Sequence, residues 1–432
     1  MSPDFGTRLV RRPATRNLTT VTADICILGA GISGVSAALE AAKLGRTVVL
    51  VDSAPALGGQ AIGSIIGTII GLYTHGAQPY QITHGIADDL IADLTAEGSL
   101  HRRVSMTGTI TFQYDEVRLG RWIERKVEDA GIHAIVGAVV TEVAFRNRRV
   151  QSVELATRFG SVRIEANGYV DASGDATLSY EAGLEVREPD APVYGSLNFL
   201  IEGYDTSAVK DLVIKEVHER LTQRGDAYGL VRHDGFLMHF PGRDFMLANV
   251  THFETPLDPL QTAHMVVEGR GQADKVVAFL RAEFPEIFAN ARIRTYGNPG
   301  IRQTRWIVGR RQLTLDDIRA GKRPPDAVAR CAWWVELHDS ESLVHWERFP
   351  DGHVYYIPLS CMVPNEADNI VAVGRCVDAD TYALSAIRVM GPCIAMGTAA
   401  AHALDLAADG AVHAVNMGEL QRRLYDNLER TD

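Results

Sequence analysis

Ala23-Asp24-Ile25-Cys26-Ile27-Leu28-Gly29-Ala30-Gly31-Ile32-Ser33-Gly34, continued over residues 35–60 as VSAALEAAKLGRTVVLVDSAPALGGQ, decides the fold. Residues 25–28 form a short apolar run, the pattern of a strand buried on both faces, which runs directly into a glycine-rich turn that should open a helix. Gly29 permits the tight turn, Gly31 lets the main chain approach a pyrophosphate, and Gly34 lets helix and strand pack closely. The free N–H groups and positive end of the helix then face the phosphates. Small residues such as Ala37, Ala38, Ala41 and Ala42 carry the helix to Gly45, and residues 47–51 make a second apolar strand. Asp52 ends it 18 residues past Gly34, close to the roughly 20 expected of a carboxylate that accepts from an adenosine ribose. The spacing predicts a dinucleotide site in which Gly29, Ala30, Gly31, Ser33 and Gly34 line the phosphate turn, with Asp52 and Ser53 at the ribose.

At 432 residues the chain is long enough for two interleaved domains. Its 43 basic and 54 acidic residues leave a net charge of −11. With no basic field to gather phosphate backbones, nucleic acid is excluded as an expected partner. Cys26, Cys331, Cys361, Cys376 and Cys393 form no C-x-x-C pair, which argues against a redox dithiol, a zinc site or an iron–sulfur cluster, and no metal is expected. Residues 1–22 carry Arg8, Arg11, Arg12 and Arg16 but no apolar run, predicting a flexible tail that is neither a secretory signal nor a membrane anchor. A cytoplasmic protein without a membrane partner is expected, and a homo-oligomer is left open.

Further along, residues 55–60 supply a second glycine pair, Gly58-Gly59, followed by Gln60, where the main chain can press against an extended ligand. Residues 61–72 are apolar but glycine-broken, which suits a loop packed under a ligand. Helical spacing predicts helices over residues 82–95 and 115–130, and strands follow over 132–136, 138–143, 150–155 and 162–164 as a meander. Residues 169–176, Tyr-Val-Asp-Ala-Ser-Gly-Asp-Ala, close that half as a strand and turn. Residues 189–354 have a different texture, rich in histidine and aromatics, with no second G-x-G-x-x-G, so a nicotinamide cofactor has no dedicated domain. The chain returns to the first domain with an apolar strand over 368–376 and a helix of small residues over 385–408, with Pro392 in its first turn.

Taken with the glycine turn and the glycine doublet, four stretches carry a resemblance: Asp171-Ala172-Ser173-Gly174-Asp175, residues 300–309 (GIRQTRWIVG), residues 356–359 (YIPL), and Val373-Gly374-Arg375-Cys376 followed by Arg388-Val389-Met390. Together they look like the bacterial FAD-dependent oxidoreductase family, with a glutathione-reductase-type flavin domain and a more distant relation to the succinate dehydrogenase and fumarate reductase flavoproteins. The resemblance implies an α/β fold: a Rossmann-like FAD-binding domain with an inserted mixed α+β substrate domain. Its boundaries are 23–188 and 355–432 for the flavin part and 189–354 for the insertion. It also implies that adenine lies against the main chain near Val140, that Ala172, Gly174 and Asp175 approach the dinucleotide a second time, and that Gly374, Arg375, Met390, Gly391 and Pro392 meet the ring end. The last helix would there offer its positive end to a reduced isoalloxazine.

FAD would do the hydride chemistry, leaving the protein to hold a C–H bond over the ring and take a proton from the attached O–H or N–H. His75 is the first candidate base, with His345 and His353 as weaker ones. Arg302 and Arg305, three apart and on one face if that segment is helical, offer planar forks for an acidic substrate. Tyr382, with Ser385 and Arg388, is a candidate for the same pocket. Trp333 and Trp334 divide between pocket wall and core. The leading expectation is an enzyme that oxidises a CH–OH, CH–NH or CH–CH bond of a small polar metabolite and passes electrons to oxygen or another acceptor. The alternatives are a flavin-dependent reductase of an activated alkene and a flavin-binding electron-transfer subunit that needs a partner chain.

Overall fold

The computed structural model describes residues 7–9, 11, 18–105, 108–209 and 211–431; Arg12 and Arg16 of the expected tail lie outside them. Five parallel strands make the central sheet, in the order His133–Val136, Val48–Asp52, Thr19–Leu28, Gly160–Asp171 and Ile370–Ala372. Fully buried Cys26, Ile27, Leu50, Val170 and Val371 explain the unbroken apolar runs, because both faces of this sheet are covered. One correction concerns the tail. Thr19 pairs with Val162 and Ala23 with Ala166, so residues 19–22 extend the first strand along the long strand Gly160–Asp171. The other side of that strand's N-terminal half carries an antiparallel meander, Val139–Arg146 and Arg149–Thr157.

Helix Ile32–Lys43 follows the first strand and ends at Leu44, with Gly45 at φ +78°. The helix expected over 82–95 begins only at Ile86, where Asp88 accepts from the Gly85 N–H at 2.9 Å. The next runs Glu116–Asp129, capped by Asp115 through the Arg118 N–H. The single helix expected over 385–408 is two helices, Thr381–Ile387 and Met390–Ala407, set at 90°. Pro392 is the physical reason. It has no N–H to give the Arg388 carbonyl, and its ring crowds that carbonyl, so the first helix cannot run into the second. No single helix among the described residues is long and apolar enough to cross a membrane.

A second sheet is antiparallel, in the order Phe236–His239, Phe245–Asn249, Ser196–Glu202 and Arg292–Gly300. Its central strand alternates strictly. Leu197, Phe199 and Ile201 pack into a core that includes Val276, Phe279 and Leu280 of helix Thr262–Glu283. On the opposite face Leu200 joins Met238, Leu247 and Ile65, and Asn198 donates to the Ser64 and Ile65 carbonyls at 3.2 and 3.1 Å. The sheet is thereby fixed to the glycine-broken loop that follows Gly58-Gly59.

Candidate active site

At the nucleotide end the contacts are made by main chain. Gly29 has φ +104°, and a Cβ there would lie 2.1 Å from the Ala172 carbonyl oxygen; one on Gly34 would lie 1.8 Å from that of Gly29. Both positions therefore exclude a side chain because two strand ends and a helix converge. Gly31 is different, since a Cβ there meets nothing within 4 Å. The helix it opens has no side-chain cap and no acid in its first turn. Its N–H groups and positive end face open space, an arrangement that suits a phosphate.

Asp52 bridges the turn, accepting from Ala30 N–H at 2.6 Å and Ala54 N–H at 2.7 Å. Each carboxylate oxygen keeps a further lone pair for a ribose hydroxyl. Ala138 N–H donates to the Asp52 carbonyl, which brings the start of the Val140 strand beside this end of the site. Ser53 is exposed there. The glycine doublet also has a structural reason: Gly58 N–H donates to the Ala30 carbonyl, and a Cβ on Gly59 would lie 2.7 Å from Gly31 Cα. Gln60 ties this loop to the Ile301 carbonyl at 3.0 Å.

The second approach assembles around Gly174. A Cβ there would strike the Arg375 guanidinium at 2.2 Å, and one on Gly374 would strike Ser33 Oγ at 2.7 Å. Asp175 accepts from Thr304 Oγ1 at 2.5 Å and lies 3.8 Å from Arg375 Nη1. That Nη1 is buried without a hydrogen-bond partner among the described residues. Asp171 is fully buried, and desolvation raises its pKa despite bonds from Ser173 and Ser179. Its carboxyl braces the turn and does not reach the surface. Cys376 Sγ accepts from Gly174 N–H at 3.1 Å and Ala176 N–H at 3.4 Å. All five cysteines are free and buried. At the head of the last helix, Gly391 N–H is taken by the Ile70 carbonyl at 3.0 Å, and a Cβ on Gly71 would meet Val389 and Pro392. The Met390–Pro392 turn thus abuts the glycine-broken loop.

Beside Ser196 of the second sheet, a group of charged side chains is drawn together. Arg302 donates to the Tyr194 carbonyl at 2.6 Å and Ser196 Oγ at 3.1 Å, and Arg388 donates to the Glu336 carbonyl at 2.9 Å. Arg302, Arg388 and Glu336 are each partly reachable by solvent. Both guanidiniums are nevertheless enclosed enough that desolvation lowers their pKa, most strongly for Arg302. The charges acting on Arg302 are Arg388, Arg232, Glu336 and Asp234. Arg232 is already paired with Asp234 at 2.7 Å. Among the groups acting most strongly on Arg302 are thus two guanidiniums and two carboxylates, and neither of the carboxylates pairs with it.

The other expected residues are placed elsewhere. His75 is buried, 3.2 Å from Thr109 Oγ1 through Nδ1, and stacked on Trp334 with ring centres 4.2 Å apart. Desolvation drives its pKa down to about 4, against weaker opposing effects from Ala332 and Asp351. This environment favours a packed, neutral ring. The segment holding Arg302 and Arg305 is not helical, so the two side chains part: Arg305 lies 3.9 Å over the Tyr180 ring. Tyr382 is exposed and meets the edge of His345, while Ser385 Oγ accepts the Glu336 N–H at 3.2 Å. His353 donates to the Ile318 carbonyl at 2.7 Å. Glu336, His338, His252 and Arg232 had no place among the sequence candidates. The alternation Glu336, Leu337, His338 beside the two tryptophans was the only local signal for them.

Fold and site together define a flavoprotein-like dinucleotide binder with a group of charged side chains beside the second sheet. The sequence matches the FAD dependent oxidoreductase family over residues 24–424, and the chain belongs to that family. It is an FAD-dependent enzyme. The uncapped helix, the open space at Gly31 and the orphaned Arg375 Nη1 fit the cofactor. Among solved structures, a geranylgeranyl bacteriochlorophyll reductase-like protein from Thermoplasma acidophilum is similar in fold, at 13% identity and a TM-score of 0.50, over 95% of this chain and 85% of that one. A flavin-dependent brominase aligns at 12% identity and 0.48, over 94% and 83%. A Pseudomonas aeruginosa protein solved with 2-aminobenzoylacetate aligns at 14% and 0.44, over 94% and 91%.

Proposed function

We propose that this enzyme oxidises a small polar metabolite carrying a carboxylate, removing hydride from a CH–OH, CH–NH or CH–CH bond, with electrons passing on to oxygen or another acceptor. Bound FAD supplies the hydride-accepting chemistry. The uncapped helix at Gly31 and Arg375 would hold its phosphates, Asp52 its ribose, and the Met390–Pro392 turn its ring end. One observation carries the substrate class: Arg302 and Arg388 are partly reachable by solvent, and among the described residues neither has a carboxylate within ion-pair distance. A half-enclosed guanidinium without a carboxylate partner loses hydration that nothing replaces, and one substrate carboxylate in a bidentate fork would pair with it. The sheet Ser196–Glu202 with its neighbours then serves as the substrate side, inserted into a flavin half of the glutathione-reductase type.

Anaerobic mixing of the yellow holoenzyme with 2-hydroxy acids, amino acids and saturated acids, each beside its neutral amide, tests this. Acids should bleach the flavin and amides should not. Arg302→Gln should raise the acid concentration for half-maximal bleaching about 100-fold, the scale of a lost charge-assisted pair of roughly 3 kcal/mol, with flavin content unchanged. Equal bleaching by acid and amide would remove the carboxylate, and loss of FAD in the variant would reassign Arg302 to the cofactor.

A further inference from the structure

Beside Arg388, His252, His338 and Glu336 form a chain of contacts. His252 Nδ1 is 2.8 Å from the Glu341 carbonyl oxygen, and its Nε2 is 2.9 Å from His338 Nδ1. A carbonyl can only accept, so His252 carries its proton on Nδ1. Desolvation lowers the His252 pKa to about 3, so the ring is neutral and its Nε2 is bare. The hydrogen between the two rings must then come from His338 Nδ1, which leaves His338 Nε2 bare as well. That atom is buried without a hydrogen-bond partner among the described residues, and it faces Glu336 Oε1 at 3.5 Å. The other carboxylate oxygen of Glu336 accepts from Trp333 Nε1–H at 3.0 Å. Two proton acceptors therefore face each other, and one of them, Glu336, is partly reachable by solvent.

We propose that Glu336 and His338 form the proton acceptor of the oxidation, Glu336 taking the proton from the O–H or N–H of the carboxylate substrate held by Arg302 and Arg388, and His338 Nε2 sharing it. This rests on the function proposed above. In the step, the O–H or N–H proton passes to the pair, the C–H bond leaves with both its electrons as hydride to oxidised FAD, and the single bond between carbon and oxygen or nitrogen becomes double. Desolvation, together with Arg302, Arg232, Arg388 and His252, disfavours charge on His338. His338 Nε2 is therefore free to share the proton when the substrate arrives. Glu336 is the catalytic residue; His338 shares its proton, and His252 positions His338.

The test uses the FAD-loaded full chain with histidine labelled in ¹⁵N, with His338→Gln to assign the resonance. At neutral pH, His338 should show a protonated Nδ1 and a bare Nε2. Glu336→Gln places an amide N–H opposite Nε2 and should shift that resonance to a hydrogen-bonded position. A protonated Nε2 in the wild type, or no change in E336Q, would overturn the proposal. With a 2-hydroxy or 2-amino acid that bleaches the wild type, E336Q should slow flavin reduction about 100-fold or more and flatten the acid limb of its pH profile. Dithionite reduction and flavin content should not change. Unaltered reduction in E336Q would also overturn it. If no such acid bleaches the wild type, the oxidation itself is refuted, and the nitrogen spectrum separately judges the pair.

Discussion

The two ends of this site are built by opposite means. At the nucleotide end, recognition is a property of the main chain: glycines at fixed spacing allow strand ends and a helix to converge, and the only charged group in the turn, Asp52, is held by two N–H groups. In the charged group proposed to hold the substrate, the contacts are made by side chains drawn from residues 232 to 388 and held by long-range bonds. The contrast teaches where substitution should be lethal to the fold and where it should touch only chemistry. The sharpest test is inside the glycine turn. Gly34→Ala puts a methyl 1.8 Å from the Gly29 carbonyl oxygen, where backbone cannot yield, and should cost about 3 kcal/mol of folding stability and abolish FAD retention. A thermal melt with flavin quantitation checks it; a yellow variant of unchanged melting temperature would break the account of that end.

The same contrast explains what sequence could foretell. A turn that must pass a pyrophosphate imposes glycine on particular positions within a few residues, so Gly29, Gly31, Gly34 and Asp52 carry their meaning locally. The charged group has no such code. Arg302 and Arg305 differ only by three positions, yet an irregular backbone sends one inward and stacks the other on Tyr180. His75 follows the glycine loop in sequence but is covered by Trp333 and Trp334, a pairing 258 positions away for Trp333 and one further for Trp334 that no local pattern announces. The division of the last helix depended on Pro392 meeting the Arg388 carbonyl, a clash whose position was visible although its consequence was not.

Gly31→Ala sharpens the comparison within the nucleotide end. Nothing lies within 4 Å of the added methyl, and φ is −68°, which alanine adopts freely. Apoprotein stability should stay within about 0.5 kcal/mol, while FAD affinity falls on the order of tenfold or more because the methyl occupies space meant for phosphate. Titration of FAD into both apoproteins, read by quenching of flavin fluorescence, separates the effects. Unaltered affinity would place the pyrophosphate elsewhere.

For His75 the expected effect is smaller and depends on pH. Its folded pKa is lowered from 6.5 to about 4, so between these values the unfolded chain binds the proton and the folded chain does not. Stability therefore rises with pH across that window and is lost as pH falls through it. His75→Phe keeps a ring against Trp334 and removes the titration. Its unfolding free energy should vary less steeply with pH, by roughly one proton, and flavin reduction at neutral pH should be unchanged. A large loss of reduction rate with intact FAD would return His75 to the catalytic machinery.

The smallest effect belongs to Arg305, and it is the cleanest separation of the two arginines. Its guanidinium lies 3.9 Å over Tyr180, a half-exposed ring, and such a contact near the surface is worth about 0.5–1 kcal/mol. Arg305→Ala should lower stability by no more than that in a denaturant titration and leave substrate-driven bleaching untouched, where Arg302→Gln alters bleaching and leaves flavin content alone. Equal kinetic defects in the two variants would mean that the segment moves as one piece when substrate enters.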